Sequence, residues 1–369
     1  GALFFRDGGA KLPAGVAGSA SVSTMQGAII IGGKRQVELK EFPVPEPGPG
    51  QVLIRMKAAG MCGSDLHNIY RTMNLDDPGH YQGCIAGHEP CGTVEAVGPD
   101  CKRDYKKGDR VIVYHICGCG HCNSCRKGWI VNCTSEQRSV YGWHRDGAYA
   151  DFMLTEEYTL LDLPDELSFV DGAIISCGFG TSFQGVRRAD VSGYDTVLVV
   201  GLGPVGLAAA IISKARGAKV IGVDISPERV ATAEKLGCDL GLIADDKALD
   251  RIREFTNGHG VEVSLECSAS QEGRMLALEA ARLWGRVVLL GEHGNLDFNP
   301  SFTIIQKQLT VHGSWMSGIS EMQDTIEHIV RWKIKPEDIV THTFPISQVK
   351  EAFELSDAGE AGKVVFVWD

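Results

Sequence analysis

The second half of the chain alternates between short apolar runs and longer segments in which apolar residues recur at helical spacing. The apolar runs predict buried strands at 195–200, 220–223, 261–266 and 286–291. The segments between them predict helices at 204–216, 226–236 and 273–283. Strands that alternate with helices of about 10 to 15 residues are typical of a parallel, doubly wound sheet. We therefore predict an α/β fold with such a sheet over residues 178–317.

The first half has a different pattern, in which short strand-like runs are separated by long loops. These runs lie at 36–40, 52–58, 93–97 and 110–114, and they predict an irregular β-rich domain over residues 26–177. Beyond residue 317 we predict a helix at 320–333 and a strand at 363–368, and we expect residues 318–369 to return to this domain. Residues 1–25 lack periodicity and are predicted to be a disordered or vector-derived leader, with Met25 as a candidate native start.

Composition and charge narrow the class of protein. The 369 residues carry a net charge of −11 without a run of lysine and arginine, so we expect neither nucleic acid nor a membrane as a partner. The sequence has no uninterrupted apolar stretch of about 18 residues and no signal-peptide pattern, so we expect a cytoplasmic protein. Twelve cysteines in such a protein indicate metal binding more than disulfide bonds.

Four of these cysteines lie close together in one glycine-rich stretch. They are Cys119, Cys122, Cys125 and Cys133. Four thiolates can close a tetrahedral shell around Zn²⁺ at about 2.3 Å, and such a closed shell supports structure and leaves no position for chemistry. Disulfides or free thiols are the alternative, but adjacent Cys-x-x-Cys pairs crowd a disulfide. We predict a structural zinc site.

A glycine-rich turn predicts a dinucleotide site in the second half. Its residues are Gly201, Leu202, Gly203, Pro204, Val205 and Gly206, between a predicted strand and a predicted helix. The glycines allow a tight turn, close approach of a pyrophosphate and close packing of the helix on the strand. Asp224 ends the next strand, where its carboxylate can accept hydrogen bonds from the adenosine ribose hydroxyls and repel the 2′-phosphate of NADP. NAD is therefore expected in preference to NADP. Arg229 could contact the ribose or adenine, or favour NADP. A generic turn and a solvated aspartate are the alternative.

Three further residues stand apart from the cysteine cluster. They are Cys62, His88 and Cys177. Two thiolates and one imidazole leave a fourth coordination position for water or substrate, which is the form of a catalytic zinc site. The three are far apart in sequence, so residue types and spacing leave open that each is a buried core residue.

Their local sequences resemble those of a known family. Gly87, His88 and Glu89 are followed by Gly92, Gly98 and Cys101 as in the zinc signature of the zinc-dependent medium-chain alcohol dehydrogenases, and the cysteine cluster and the glycine turn follow in the family's order. The resemblance covers residues 26–369. It implies a GroES-like catalytic domain beside a Rossmann domain and two zinc ions per chain, the catalytic one held by Cys62, His88 and Cys177. It also implies a homodimer or homotetramer.

The same resemblance implies roles for four residues near the catalytic ligands. Glu89 is the carboxylate that can approach the metal as ligands exchange, and Asp65 holds the His88 ring. Ser64 takes the proton of the alcohol, and His67 relays it to solvent. The alternatives are a loop-capping hydroxyl for Ser64 and a surface histidine for His67. His115, Trp143 and His144 are candidates for the wall of the substrate pocket.

The predicted function is hydride transfer between NAD(H) and an alcohol–carbonyl pair, with a secondary alcohol, a polyol or a related hydroxy compound as substrate. The threonine and polyol dehydrogenases resemble this chain but generally carry a carboxylate in place of Cys177. Two other functions stay open. One is a zinc-free quinone or enone reductase on the same scaffold, and the other is a non-catalytic, NAD-binding redox sensor.

Overall fold

The computed structural model describes residues 23–72 and 81–369, and the statements below concern those residues. Most of the predicted leader, residues 1–22, lies outside them. Its last two residues were assigned wrongly, because Thr24 and Met25 belong to the first strand. Met25 is buried and packs with Ile85 and Ala150, so it belongs to the core of the first half.

Seventeen strands and nine α-helices form the described part of the chain. The strands are β1 (Thr24–Ile31), β2 (Gln36–Pro43), β3 (Gln51–Gly60), β4 (Pro90–Val97), β5 (Arg110–Val113), β6 (Ile116–Cys117), β7 (Ser139–Val140), β8 (Phe152–Glu156), β9 (Leu160–Asp162), β10 (Thr196–Val200), β11 (Lys219–Asp224), β12 (Leu240–Ile243), β13 (Val261–Glu266), β14 (Ala281–Leu289), β15 (Thr310–Gly313), β16 (Val340–Phe344) and β17 (Lys363–Val367). The helices are α1 (Asn123–Arg126), α2 (Phe169–Ile174), α3 (Gly180–Arg188), α4 (Pro204–Ala215), α5 (Pro227–Lys235), α6 (Ala248–Phe255), α7 (Gln271–Ala280), α8 (Ile319–Trp332) and α9 (Val349–Asp357).

Short 3₁₀ and π-helical segments join these elements. The π-helical ones are Asp65–Arg71, Ile175–Phe179 and Ser301–Ile305, and the 3₁₀ ones are Ile130–Asn132, Glu157–Thr159, Pro336–Ile339 and Ile346–Gln348. None of the described helices is both long and apolar enough to cross a membrane.

The predicted parallel sheet is present in the second half. Its six strands lie in the order β12-β11-β10-β13-β14-β15, and all neighbouring pairs are parallel. The strand order reverses at β10, and ligands bind at such a reversal in open α/β sheets. The helix predicted at 273–283 was too long at its end. Ala281 instead begins β14, because it pairs with Val261 across an irregular register.

A second sheet organises the first half and includes the end of the chain. Its strands follow the order β16-β17-β3-β4-β5-β9, with β8 also paired to β3. Val365 in β17 pairs antiparallel with Gly60 in β3, so the strand predicted at 363–368 does run beside the first half's sheet. The chain passes from this sheet to the parallel one through α2, the π-helical segment Ile175–Phe179 and α3.

Candidate active site and metal centres

Three separate segments bring Cys62, His88 and Cys177 together. Cys62 follows the end of β3, His88 precedes β4, and Cys177 lies in the π-helical segment between α2 and α3. One ligand atom from each of them lies within 4.8 Å of the other two. Ligands that share one Zn²⁺ at about 2.0–2.3 Å stand roughly 3.5–4 Å apart, so this spacing suits a common ion. His88 is buried and the two cysteines are partly exposed, and three protein ligands leave a fourth position of a tetrahedral Zn²⁺ without a ligand from this cluster.

Asp65 fixes the orientation of the His88 ring. Its buried carboxylate has Oδ1 3.0 Å from His88 Nδ1, while Oδ2 accepts hydrogen bonds from Cys62 N at 3.1 Å and from Tyr149 Oη at 2.7 Å. A carboxylate at Nδ1 leaves Nε2 free to act as a metal ligand. Sequence reasoning missed Tyr149, whose buried hydroxyl completes this network.

The groups within the cluster favour the thiolate form of Cys62. A hydrogen bond from the Cys177 thiol and the nearby charge of His88 hold the pKa of Cys62 well below its ordinary value. The same hydrogen bond, together with burial, raises the pKa of Cys177 well above its ordinary value, so Cys62 is the first of the two thiols to lose its proton. Burial acts to lower the pKa of His88, but Asp65 and Cys62 raise it well above the ordinary value. Thiolate is the form of cysteine that binds metals, so Cys62 already favours the form that a metal ion needs.

Glu89 is held by a buried lysine. Lys363 Nζ donates to the Glu89 carboxylate and to the carbonyl oxygen of Met61 at 2.9 Å, and both charged side chains are almost fully buried. Burial raises the pKa of Glu89 to about 7, although the Lys363 charge opposes this. The sequence signal for Lys363 was a single lysine at the start of an apolar strand, which was not recognised as functional.

Ser64 and His67 both lie on the Cys62 side of the site. Ser64 Oγ is 3.4 Å from His88 Nε2, the nitrogen that faces the metal position. His67 Nδ1 is 3.0 Å from Arg71 Nη1. Burial and the Arg71 charge lower the pKa of His67. The ring is therefore neutral at neutral pH.

Polar groups border the remaining side of the cluster formed by Cys62, His88 and Cys177. The buried His115 ring lies 5.3 Å from that of His88, and its Nδ1 bonds the carbonyl oxygen of Ser176 at 2.9 Å. His115 Nε2 has no hydrogen-bond partner among the described residues. Trp143 meets the His88 ring edge-on at 6.3 Å, so it also lies beside the cluster. His144 instead accepts a hydrogen bond from Val140 N at 3.0 Å and braces its own loop.

Glu292, which the sequence alone did not single out, lies near the same cluster. It follows β14, hydrogen-bonds Trp315 and is close enough for the charges of Cys62 and His88 to act on it. Partial burial of the carboxyl group raises its pKa. Arg274 fixes this loop by donating to the carbonyl oxygens of Gly291 and His293.

The four clustered cysteines also converge. One sulfur from each of Cys119, Cys122, Cys125 and Cys133 lies within 4.8 Å of the others, against about 3.8 Å for a tetrahedral Zn²⁺ site. Backbone N–H groups donate to three of these sulfurs, as in Cys122 N to Cys119 Sγ at 3.3 Å. A hydrogen bond from Cys125 N lowers the pKa of Cys122 to about 6. None of the twelve cysteines forms a disulfide. The four therefore suit one closed metal shell.

The glycine turn forms an open cradle between β10 and α4. Gly201 has φ +88°, and a Cβ on Gly206 would lie 1.8 Å from Gly201 O, so both positions require glycine. A Cβ on Gly203 would meet nothing within 4 Å. Helix α4 begins at Pro204, and Ser182 Oγ fixes the Val205 carbonyl at 2.7 Å. The free N–H groups of the helix start face this space, as a pyrophosphate requires.

Asp224 ties this turn to the next strand. It is buried at the end of β11, and its two oxygens accept hydrogen bonds from Leu202 N at 2.6 Å and Ser226 N at 2.9 Å. Arg229 Nη1 lies 3.9 Å from Asp224 Oδ2, at the edge of an ion pair. A carboxylate thus stands at the edge of the cradle.

Comparison with protein families gives two matches that together span most of the chain. Residues 48–165 match the alcohol dehydrogenase GroES-like domain, and residues 204–331 match the zinc-binding dehydrogenase model. Among curated proteins, the chain is 47% identical over 345 residues to an uncharacterized zinc-type alcohol dehydrogenase-like protein, YphC, of Escherichia coli, covering 92% of this chain and 97% of that protein. It is 34% identical to the L-threonine 3-dehydrogenase of Pyrococcus abyssi, covering 89% and 94%.

Solved structures with the same architecture include an alcohol dehydrogenase and a ketone reductase. Alcohol dehydrogenase TADH from Thermus sp. superimposes with a TM-score of 0.83 at 30% identity, over 93% of this chain and 99% of that one. Acetophenone reductase from Geotrichum candidum in complex with NAD superimposes with a TM-score of 0.80 at 25% identity, over 94% and 97%.

Proposed function

We propose that this chain, which belongs to the zinc-dependent alcohol dehydrogenase family and is therefore an oxidoreductase, transfers a hydride between NAD(H) and an alcohol–carbonyl pair. The observation that carries the proposal is the convergence of Cys62, His88 and Cys177, two sulfurs and one imidazole with a coordination position left open. A second set of four sulfurs suits a closed structural ion, so we propose two zinc ions per chain.

The residues around the three ligands support this chemistry. When bound, Zn²⁺ supplies Lewis acidity that lowers the pKa of an alcohol hydroxyl, and the nicotinamide supplies the hydride acceptor. Asp65 and Tyr149 hold His88 so that Nε2 faces the site. Ser64 Oγ borders the same nitrogen, where its hydroxyl can accept the proton that the alcohol loses.

Asp224 supports a preference for NAD over NADP. Each of its oxygens accepts one backbone N–H and keeps a second lone pair for a ribose hydroxyl. Its negative charge would repel a 2′-phosphate at the same place. Arg229 is about two-fifths exposed at 3.9 Å and offsets this repulsion only weakly.

The polar groups beside Cys62, His88 and Cys177 support a class of substrate. The unpartnered Nε2 of His115 can accept a hydrogen bond, because Nδ1 must carry the proton that it donates to the Ser176 carbonyl. Glu292 adds a carboxylate. Such acceptors favour a polar secondary alcohol, a polyol or a related hydroxy compound over a purely apolar alcohol.

We also propose that a second copy of the chain covers the apolar edge of the parallel sheet. Leu283, Trp284, Phe302 and Ile305 are each more than 60% exposed there, and β15 leaves one side of the sheet unpaired. Exposed apolar surface next to an open sheet edge is typical of a subunit interface. Light scattering of the purified protein should report a homodimer or homotetramer.

A panel of alcohols, polyols and amino alcohols tests the proposed function. NADH absorbance is followed with NAD and NADP in parallel, and the zinc content is measured on the same sample. We expect two zinc ions per chain and NAD reduction with at least one secondary alcohol or polyol, lost in Cys62→Ala. One zinc ion and no turnover would favour the redox sensor, and turnover of quinones or enones without zinc would favour the reductase.

A further inference from the structure

His67 and Arg71 lie about one turn apart on the π-helical segment Asp65–Arg71, and their side chains are hydrogen-bonded. Arg71 Nη1 is 3.0 Å from His67 Nδ1. A guanidinium group has only donors, so Nδ1 must be the acceptor and cannot carry a proton in this contact. A neutral ring then holds its one proton on Nε2.

Asp357 at the end of α9 prevents Arg71 from leaving this position. Arg71 Nε lies 2.5 Å from Asp357 Oδ1, and Nη2 lies 2.9 Å from the backbone carbonyl oxygen of Asp357. Arg35 Nη1 binds the other carboxylate oxygen of Asp357 at 2.6 Å. Hydrogen bonds between an arginine and an ionised carboxylate are short and strong, and here a second bond to the backbone carbonyl oxygen of Asp357 adds to the one made by the carboxylate. The guanidinium therefore stays aimed at the imidazole.

We propose that Arg71 is a positioning residue that holds His67 as a neutral ring with its proton on Nε2. The inference rests on the proposed dehydrogenase function, because it concerns the relay that the sequence analysis assigned to His67. With Arg71 in place, His67 acts as a hydrogen-bond donor through Nε2 and does not store the proton released by the substrate. An imidazolium would set an N–H on Nδ1 directly against the N–H of Arg71.

The charged groups that face His67 agree with this arrangement. Burial lowers its pKa most, followed by Arg71 on the same segment and, more weakly, His293 on the loop after β14. Cys62 and Asp357 act in the opposite direction. The net effect is a pKa below the ordinary value, which favours the neutral ring that the hydrogen bond requires.

The proton balance of the reaction shows why the protonation state of His67 matters. Oxidation of an alcohol breaks one C–H and one O–H bond, sends the hydride to NAD⁺ and releases one proton. Ser64 is placed to take that proton first. Because the lone pair of His67 Nδ1 is occupied by Arg71, the ring offers no free site for it, and the proton passes to solvent water without a stop on His67.

Two measurements on the zinc-loaded protein test the inference. Long-range ¹H–¹⁵N correlation NMR reports which nitrogen of His67 is protonated and how the ring titrates, whether or not a substrate is known. The pH profile of kcat for NAD reduction reports whether the ring ionises during turnover. The variants are Arg71→Leu, Arg71→Lys, the double variant with His67→Gln, and Arg35→Leu. Arg35→Leu is the matched control, because Arg35 binds the same Asp357 carboxylate without contacting His67.

We expect an Nε2–H ring in the wild type and in Arg35→Leu. In Arg71→Leu the pKa of His67 should rise by about one unit, because a positive charge within hydrogen-bonding distance is lost. That variant should also gain an ionisation in its pH profile, which His67→Gln removes and Arg71→Lys partly reverses. A wild-type ring protonated on Nδ1, or an unchanged His67 titration in Arg71→Leu, would overturn the inference. Absence of turnover with every alcohol would refute the proposed function but leave the NMR result decisive.

Discussion

The variant Tyr149→Phe tests whether the hydrogen bond from Tyr149 to Asp65 helps to hold the metal ligand His88 in place. The substitution keeps the buried ring, which packs closely against Gly87, and removes only the hydroxyl that donates to Asp65 at 2.7 Å. Asp65 then keeps two of its three donors, His88 Nδ1 and Cys62 N. A buried hydrogen bond to a charged group contributes about 1.5–3 kcal/mol. Loss of an outer partner of a metal ligand typically weakens metal binding by about 10- to 100-fold.

We therefore expect Tyr149→Phe to lower the free energy of unfolding by about 1.5–3 kcal/mol in urea. It should also release one of the two proposed zinc ions at a lower chelator concentration than the wild type. Tyr114→Phe is the control, since it removes a buried hydroxyl that bonds the Ser317 carbonyl at 2.8 Å and makes no contact with Asp65. The control should lose about 1 kcal/mol and keep its zinc. If both variants release zinc at the same chelator concentration as the wild type, the hydrogen bond from Tyr149 to Asp65 does not support the metal site.

Three further predictions follow from other parts of the structure. Cys62→Ala should abolish NAD reduction and leave the melting temperature within a few degrees of the wild type, whereas Cys133→Ala should lower the melting temperature markedly, as differential scanning calorimetry will show. Asp224→Asn should raise kcat/KM with NADP relative to NAD by at least about tenfold, because it removes the charge that repels a 2′-phosphate. Burial lowers the pKa of Lys307 from 10.5 to about 8. Between these two pH values the unfolded chain therefore binds more protons than the folded chain. In urea titrations, the free energy of unfolding of the wild type relative to Lys307→Met should rise with pH from about 8 to 10.5. A flat difference over this range would contradict the lowered pKa of Lys307.

The coenzyme half was largely predictable because its signals are local. The glycine turn, the helix start at Pro204 and the strand that ends at Asp224 lie within one βαβ unit, and the structure places them as the pattern indicated. The end of α7 was not predictable from periodicity. An alanine such as Ala281 is compatible with the end of a helix. Only its pairing with Val261 across the sheet makes it part of a strand.

The candidate active site depended on contacts between distant residues. Cys62, His88 and Cys177 could be grouped only through the family resemblance, because the folding of three segments decides whether they meet. Partners of these groups were missed for the same reason. Lys363 lies 274 residues beyond Glu89, and Tyr149 lies 84 residues beyond Asp65. The roles of Ser64 and Glu89 remain predictions, and the NMR and pH-profile experiments above address the role of His67.

The strand β17 fixes the order in which the molecule can be completed during synthesis. It lies between β16 and β3 inside its sheet and supplies Lys363, the last charged partner beside the metal ligands. The ribosome must therefore have synthesised and released β17 before the first half can complete its sheet. The parallel sheet has all its strands by residue 313 and can form earlier. A nascent chain halted shortly before β17 would thus present a finished coenzyme domain attached to an unfinished metal-binding one.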